Sequence, residues 1–233
     1  YAKICKANVD GKGKMVVLTP EEATHNVIFC PSKRFIIDAF SRPDLPYQFT
    51  VRDTRQGDLV FKLSELDLND MYKQGWKMPE TFSVKAADGE TDLYGVMWKP
   101  FDFDSTKQYP IISSVYPGPF YEYVPTQFAV LHDDNTRLAQ LGFIVVAMGH
   151  RGGTPMRGKA YHTYGYGNQR DYPLADDKYA IEQLADRYPF INGKKVGMYG
   201  HSGGGFMTAA AICTYPDFYS AAVSSAGNHD NNI

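Results

Sequence analysis

The sequence predicts an α/β fold preceded by a mainly β segment. Three observations carry the prediction. Short strands broken by turn formers fill the first 64 residues, and from Thr81 onward strand and helix patterns alternate. The later apolar runs Ile144-Val-Val-Ala and Ala221-Ala-Val show no polar alternation, as expected of a parallel sheet covered on both faces.

Residues 3–7, 14–18, 26–30, 34–40, 48–53 and 59–63 read as strands. They are bounded by Asp10-Gly11, Pro31-Ser32, Arg42-Pro43-Asp44 and Gln56-Gly57. Strands at this spacing with no helical period suggest a sandwich, a barrel or propeller blades. Six strands are few for a closed β domain, so 1–64 reads as a piece of a larger one. In 64–76 the period changes: Leu66, Met71 and Tyr72 among Glu65, Asp67, Asp70 and Lys73 suggest a short connecting helix stopped by Gly75. Next come strands at 91–98 and 110–116, a helix at 127–141, a buried strand at 143–148, a longer helix at 172–188 and a buried strand at 195–199. A helix starts just after Ser202 and runs to about Tyr215, and 221–225 is the last strand. The organisation is thus 1–64, a connector at 65–79, and an α/β part at 80–233.

Composition narrows the function classes. The chain is 43% apolar and 21% charged, which excludes disorder, collagen and coiled coil. A net charge of −2 argues against nucleic acid or an anionic membrane as partner. No apolar run approaches the ~18 residues of a membrane helix. The start, Tyr1-Ala-Lys-Ile-Cys-Lys, has no apolar signal core from which to read a compartment. Cys5, Cys30 and Cys213 are odd in number and widely spaced, which fits neither a disulfide framework nor a zinc knuckle. His25, His132 and His162 show no metal-ligand spacing, so no metal and no cofactor is expected.

Gly200-His201-Ser202-Gly203-Gly204 matches G-x-S-x-G between a buried strand and an Ala-rich helix. That is the setting of a nucleophile elbow. A serine on such a turn has strained backbone, and residues two before and two after it approach too closely to carry a Cβ. The turn holds Oγ clear of the sheet, and the helix start places the Gly203 N–H beside a developing oxyanion. The string alone fits a phosphate-binding glycine loop equally well, and the strand–turn–helix context selects the nucleophile. Tyr116-Pro117-Gly118-Pro119 ends an apolar strand, where lipases and esterases carry a His-Gly-Gly loop that donates backbone N–H groups. Prolines cannot donate, but a tyrosine hydroxyl can. The plainer reading of Tyr116 is packing at a strand end. Likewise, Asp176-Asp177 reads most simply as a solvated helix face.

Five segments together resemble a known family: Trp76-Lys-Met-Pro-Glu, Val84-Lys-Ala-Ala-Asp-Gly, Val115-Tyr-Pro-Gly-Pro, Gly200-His-Ser-Gly-Gly-Gly and Ser224-Ser-Ala-Gly-Asn-His-Asp. The chain resembles the prolyl oligopeptidase clan, and within it bacterial dipeptidyl-peptidase-IV-like enzymes. The resemblance covers nearly the whole chain. It implies that 1–64 is the end of a β-propeller and 80–233 the first part of an α/β-hydrolase domain. It also implies a serine peptidase acting on short peptides, often after proline or alanine near the N-terminus, in a periplasmic or extracytoplasmic setting. By position, Ser202 matches the nucleophile, Gly203 the backbone oxyanion donor, Tyr116 the hydroxyl donor, and Gly200 and Gly204 the elbow.

Two departures stand out. The segment usually reading Asp-Gly-Arg-Gly here reads Gly149-His150-Arg151-Gly152-Gly153. The triad order is Ser, Asp, His, yet after Ser202 there are only Asp217, Asp230 and one histidine, His229. His229 and Asp230 come too early for the family's base and acid. The sequence therefore implies a fragment, with the triad Asp and His outside this chain, and with the rest of the enzyme or a second copy as partner. Esterase or acylaminoacyl-peptidase specificity on the same scaffold, or a non-catalytic binding module, are the alternatives.

Overall fold

The computed structural model describes residues 1–118, 121–168 and 171–229. They fall into two units: Tyr1–Met78 with Pro125–Val130, and Pro79–Val124 with Leu131–Ile233.

In the first unit a two-residue ladder, β1 (Cys5–Lys6) with β2 (Val16–Val17), precedes a four-stranded antiparallel sheet. Its strands, β3 (Thr24–Phe29), β4 (Phe35–Arg42), β5 (Leu45–Asp53) and β6 (Leu59–Glu65), lie in sequence order. The period of two sorts the faces. Ile36, Asp38 and Phe40 are buried, while the register places Ile28, Ile37, Val51 and Phe61 in one row on the other face. The connecting helix, α1, is only Asn69–Lys73. It is shorter than the 64–76 pattern suggests because β6 continues to Glu65 and Asp67 Oδ1 accepts from Asn69 N at 2.9 Å. Trp76 turns into the core, where its indole N–H donates to Val130 O.

The second unit is a six-stranded sheet with helices on both faces. The strands are β7 (Glu80–Lys85), β8 (Asp92–Trp98), β9 (Tyr109–Ser114), β10 (Ile144–Met148), β11 (Ile191–His201) and β12 (Tyr219–Ser225), in spatial order β12-β11-β9-β10-β8-β7. The helices are α2 (Asp133–Ala139), α3 (Lys159–His162), α4 (Leu174–Arg187) and α5 (Gly203–Thr214). Strand β10 explains the missing alternation. Ile144, Val146 and Met148 join the larger core with Leu174, Ile181, Leu184 and Met207, whereas Val145 and Ala147 pack with Val96, Trp98 and Ala139 on the opposite face.

Three expectations need correcting. The sheet is mixed: β12, β11, β9 and β10 are parallel, but β8 and β7 are antiparallel, because β7 and β8 form a hairpin through Asp88-Gly89. The helix expected over 127–141 begins only at Asp133, since Phe128 is buried in the first unit, where its N–H donates to Ser41 Oγ. The run Ala221-Ala-Val, expected to be covered on both faces, is largely exposed because β12 is the edge strand of the sheet; strand β7 and helix α3 carried no sequence signal strong enough to assign.

Candidate active site

Strand β11 ends at His201 and α5 starts at Gly203, so Ser202 alone makes the turn, at φ +55° and ψ −117°. A side chain at positive φ costs on the order of 1–3 kcal/mol and persists only where the surroundings enforce it. Here Ser202 N donates to Ser225 O (2.8 Å) and Ser202 O accepts from Phe206 N (3.0 Å). The glycines let the backbones close up. A Cβ at Gly200 would lie 2.5 Å from Val115 O and from the Gly204 backbone, one at Gly204 would run into Val115 O, and one at Gly205 would lie 2.5 Å from Ser225 O.

The end of β9 lies against this turn. Val115 N donates to Tyr199 O, a Cβ on Gly203 would sit 2.9 Å from Pro117 O, and one on Gly204 would sit 3.5 Å from Tyr116 Cα. The fold thus brings Ser202, Gly203 and the Tyr116 backbone together. The Tyr116 ring is 36% exposed and sits among two others, 6.1 Å from Tyr121 and 6.1 Å from Tyr123 between centroids. Pro119 and Asp230 lie outside the described residues.

Among the described residues no imidazole hydrogen-bonds Ser202 Oγ. His201 is exposed and its Nδ1 lies 3.0 Å from Ser225 Oγ. His229 folds back over Gly227, with its ring 6.3 Å from Phe206. Asp217 is exposed in the turn between α5 and β12.

Asp176 and Asp177 are not a solvated face: both are fully buried. Asp177 accepts from Ser113 Oγ (2.6 Å) and Tyr219 OH (3.0 Å) and faces His150 Nε2 (3.2 Å). Burial, and then the Asp177 charge, push the Tyr219 hydroxyl far above its ordinary value, so it stays a donor. This Ser-Asp-His set is wired unlike a triad. Both partners converge on the carboxylate, and the hydroxyl is bonded to the acid with no base beside it. Asp176 instead holds the Arg151 guanidinium (2.6 Å), whose other arm reaches Asp88 (2.9 Å). The sequence cue for both is their place at the start of α4, one turn before Ala180 and Ile181 and two turns before Leu184.

One cluster has the composition of a metal site. Glu21, His25 and Asp38 bring ligand atoms within 4.8 Å of one another, although the sequence spacing showed no metal set. Arg52, however, donates to both carboxylates, with Nε 3.1 Å from Asp38 and NH2 on Glu21. His25 is spent between Asp38 and the Glu21 carbonyl. Arg52 is thus the cation that this buried network already contains.

Residues 131–232 match the family model described as the prolyl oligopeptidase family. Among curated proteins, dipeptidyl peptidase 8 of Mus musculus is 28% identical over 221 residues, covering 92% of this chain and 25% of that protein. Prolyl endopeptidase FAP of Mus musculus is 26% identical over 79% of this chain and 24% of its own length. A solved structure from Bacteroides ovatus superposes with a TM-score of 0.75 at 29% identity, over 91% of this chain and 30% of that one. Porphyromonas gingivalis dipeptidyl peptidase 4 shares the fold, with a TM-score of 0.73 at 21% identity, over 91% and 29%. The chain therefore spans about a quarter of the length of the curated relatives it matches. At Gly149 the carboxylate of Glu122 fills the space a side chain would take.

Proposed function

We propose that this chain carries the nucleophile of a serine peptidase that works through an acyl-enzyme and releases dipeptides from peptide N-termini, with preference for proline or alanine before the scissile bond. The observation that carries the reading is Ser202 at φ +55° on a one-residue turn between a buried strand and a helix start. In this assignment Ser202 Oγ attacks the scissile carbonyl and forms a C–O bond, and its proton passes to an imidazole. The oxyanion takes hydrogen bonds from the Gly203 N–H, a first-turn donor outside the helix's own ladder, and from the Tyr116 hydroxyl. The imidazole returns the proton to the leaving amine, and water then hydrolyses the ester. We assign that imidazole and its acid to residues other than those described, since His201 and His229 are turned elsewhere. The names of similar curated proteins support the dipeptidyl specificity, and the β segment 1–64 is proposed as the end of a propeller.

The test is to treat the purified chain with a fluorophosphonate probe, map the adduct by mass spectrometry, and assay an X-Pro chromogenic peptide. Slow labelling confined to Ser202, without turnover, is expected, because a serine without a base is a poor nucleophile. An adduct elsewhere, or equal labelling of Ser202→Ala, would overturn the nucleophile assignment. Rapid stoichiometric labelling with cleavage would place the base within these residues, with His229 the first to mutate.

A further inference from the structure

The segment after the strand-end loop alternates in direction. Tyr121 and Tyr123 both meet Tyr116, and their own ring centroids are 6.3 Å apart. Glu122 between them turns inward, where the Tyr161 hydroxyl donates to it and Arg157 NH1 lies 3.6 Å away. Burial, and then the Glu122 charge, raise the Tyr161 hydroxyl well above its ordinary value, so it remains a donor. Arg157 in turn lies over the Tyr161 ring at 4.1 Å. The Glu122 carboxylate occupies the space left by Gly149, so the missing side chain at 149 makes room for this anchor. Tyr123 is seated on the core cluster of Val96, Trp98, Val145 and Ala147. The backbone is tied as well, through the Gly118–Tyr121 bridge and Val124 N to Glu122 O (2.8 Å).

This makes a fixed patch of three rings beside the elbow. The interplanar angles are 81°, 43° and 56°, so none of the three rings lies flat on another. Tyr116 and Tyr121 are 36% and 54% exposed. Glu122 is committed beneath the patch to Tyr161 and Arg157, so the patch offers ring faces and hydroxyls rather than a charge for an ammonium.

We propose that Tyr121 and Tyr123, with Tyr116, form a subsite for a ring-bearing side chain of a peptide lying along the elbow, and that Glu122 is the positioning residue that fixes it. The inference rests on the acyl-transfer reading for what brings a peptide to this place. Its test does not depend on turnover. Binding of a capped tripeptide amide with central phenylalanine is compared with its alanine counterpart by ligand-observed NMR on the full chain. The phenylalanine peptide is expected to bind about tenfold tighter, the scale of an added aromatic contact. Tyr121→Ala and Tyr123→Ala should each remove most of that ratio, and Tyr121→Phe, which keeps the ring, should retain it. Glu122→Ala should lower the ratio, and Glu122→Gln, which still accepts from Tyr161, should restore it. Should Glu122→Ala fail to fold by circular dichroism, the exposed Tyr121 variants carry the test. A wild-type ratio near one, or a ratio that survives Tyr121→Ala with Tyr123→Ala, overturns the subsite. Fluorophosphonate labelling of the same samples separates the two readings. A ring preference on a chain whose Ser202 never reacts sinks acyl transfer alone, and a reactive Ser202 without the preference sinks the subsite alone.

Discussion

Ser202 sits in the left-handed region because its neighbours leave it no other path, and the glycines around it set how tightly that path closes. Gly204 packs against the Val115 carbonyl, so Gly204→Ala pits one methyl against backbone, which cannot rotate away. We expect a loss of about 1–3 kcal/mol, measured by urea unfolding, together with a slower fluorophosphonate reaction at Ser202. Wild-type values for both would mean that the elbow has slack. A second residue tests the opposite sign. Tyr172 packs on Gly152 and Gly165, and its buried hydroxyl has no hydrogen-bond partner among the described residues. Burial alone pushes that hydroxyl up to about 12. Tyr172→Phe removes an unsatisfied polar group without changing the ring, and is expected to stabilise by about 1 kcal/mol. A destabilised variant would reveal a partner. The elbow glycines were legible because they obey a fixed spacing. Glu122 was not, because what makes it matter is a vacancy 27 positions away at Gly149. Asp176 and Asp177 were misread for a related reason. Helical charge pairs look alike in sequence whether they face water or, as here, Arg151 and Tyr219.

Between elements, charge-assisted bonds tie the β7–β8 hairpin to the turn after β10. Asp88 accepts from Thr91 Oγ (2.7 Å), from the backbone N–H groups of Glu90 and Thr91, and from Arg151 NH1 (2.9 Å). These bonds, Thr91's hydroxyl foremost, hold the Asp88 carboxyl down at about 2 against an ordinary 3.8. A depressed carboxyl contributes stability that is complete above its unfolded value and disappears as pH falls through its folded one. The stability gap between wild type and Asp88→Asn should therefore be constant from neutral pH to about 5 and shrink between about 4 and 2. Urea midpoints recorded across that range test it, and a gap that widens on acidification contradicts the assignment. The same elements show how far periodicity reaches. The uninterrupted run of β10 marks two-sided burial correctly, whereas the same lack of alternation in β12 misleads, because β12 is an edge strand exposed over most of its length. The direction of β8 was not readable, because two-sided burial looks the same in parallel and antiparallel neighbours. Helix α2 was drawn too long because Phe128 continues the apolar period, yet tertiary packing commits it to the first unit.

Across the whole molecule, two apolar surfaces stay open, one in each unit. In the first, the row Ile28, Ile37, Val51 and Phe61 crosses all four strands, with Ile28 71% and Phe61 50% exposed, and β6 is an edge strand exposed along its full length. In the second, an apolar groove of about 560 Å³ runs over β9, β11 and β12, lined by Ile112, Leu138, Phe143, Tyr199 and Val223. Monomeric soluble proteins rarely leave such faces bare, and unpaired edge strands invite pairing. A net charge of only −2 supplies little repulsion against it. The purified chain is therefore expected to self-associate as its concentration rises. Sedimentation velocity over a hundredfold dilution series reads this directly. Phe61→Lys should shift the distribution toward monomer by placing charge at the end of the row, on the edge strand. Val223→Lys should do the same if β12 and its groove also contribute, and combining the two should act additively because the substitutions lie in separate units. A chain that sediments as monomer across the whole series, with neither substitution altering it, would show that these faces are tolerated bare and that burial by a partner is not what they require.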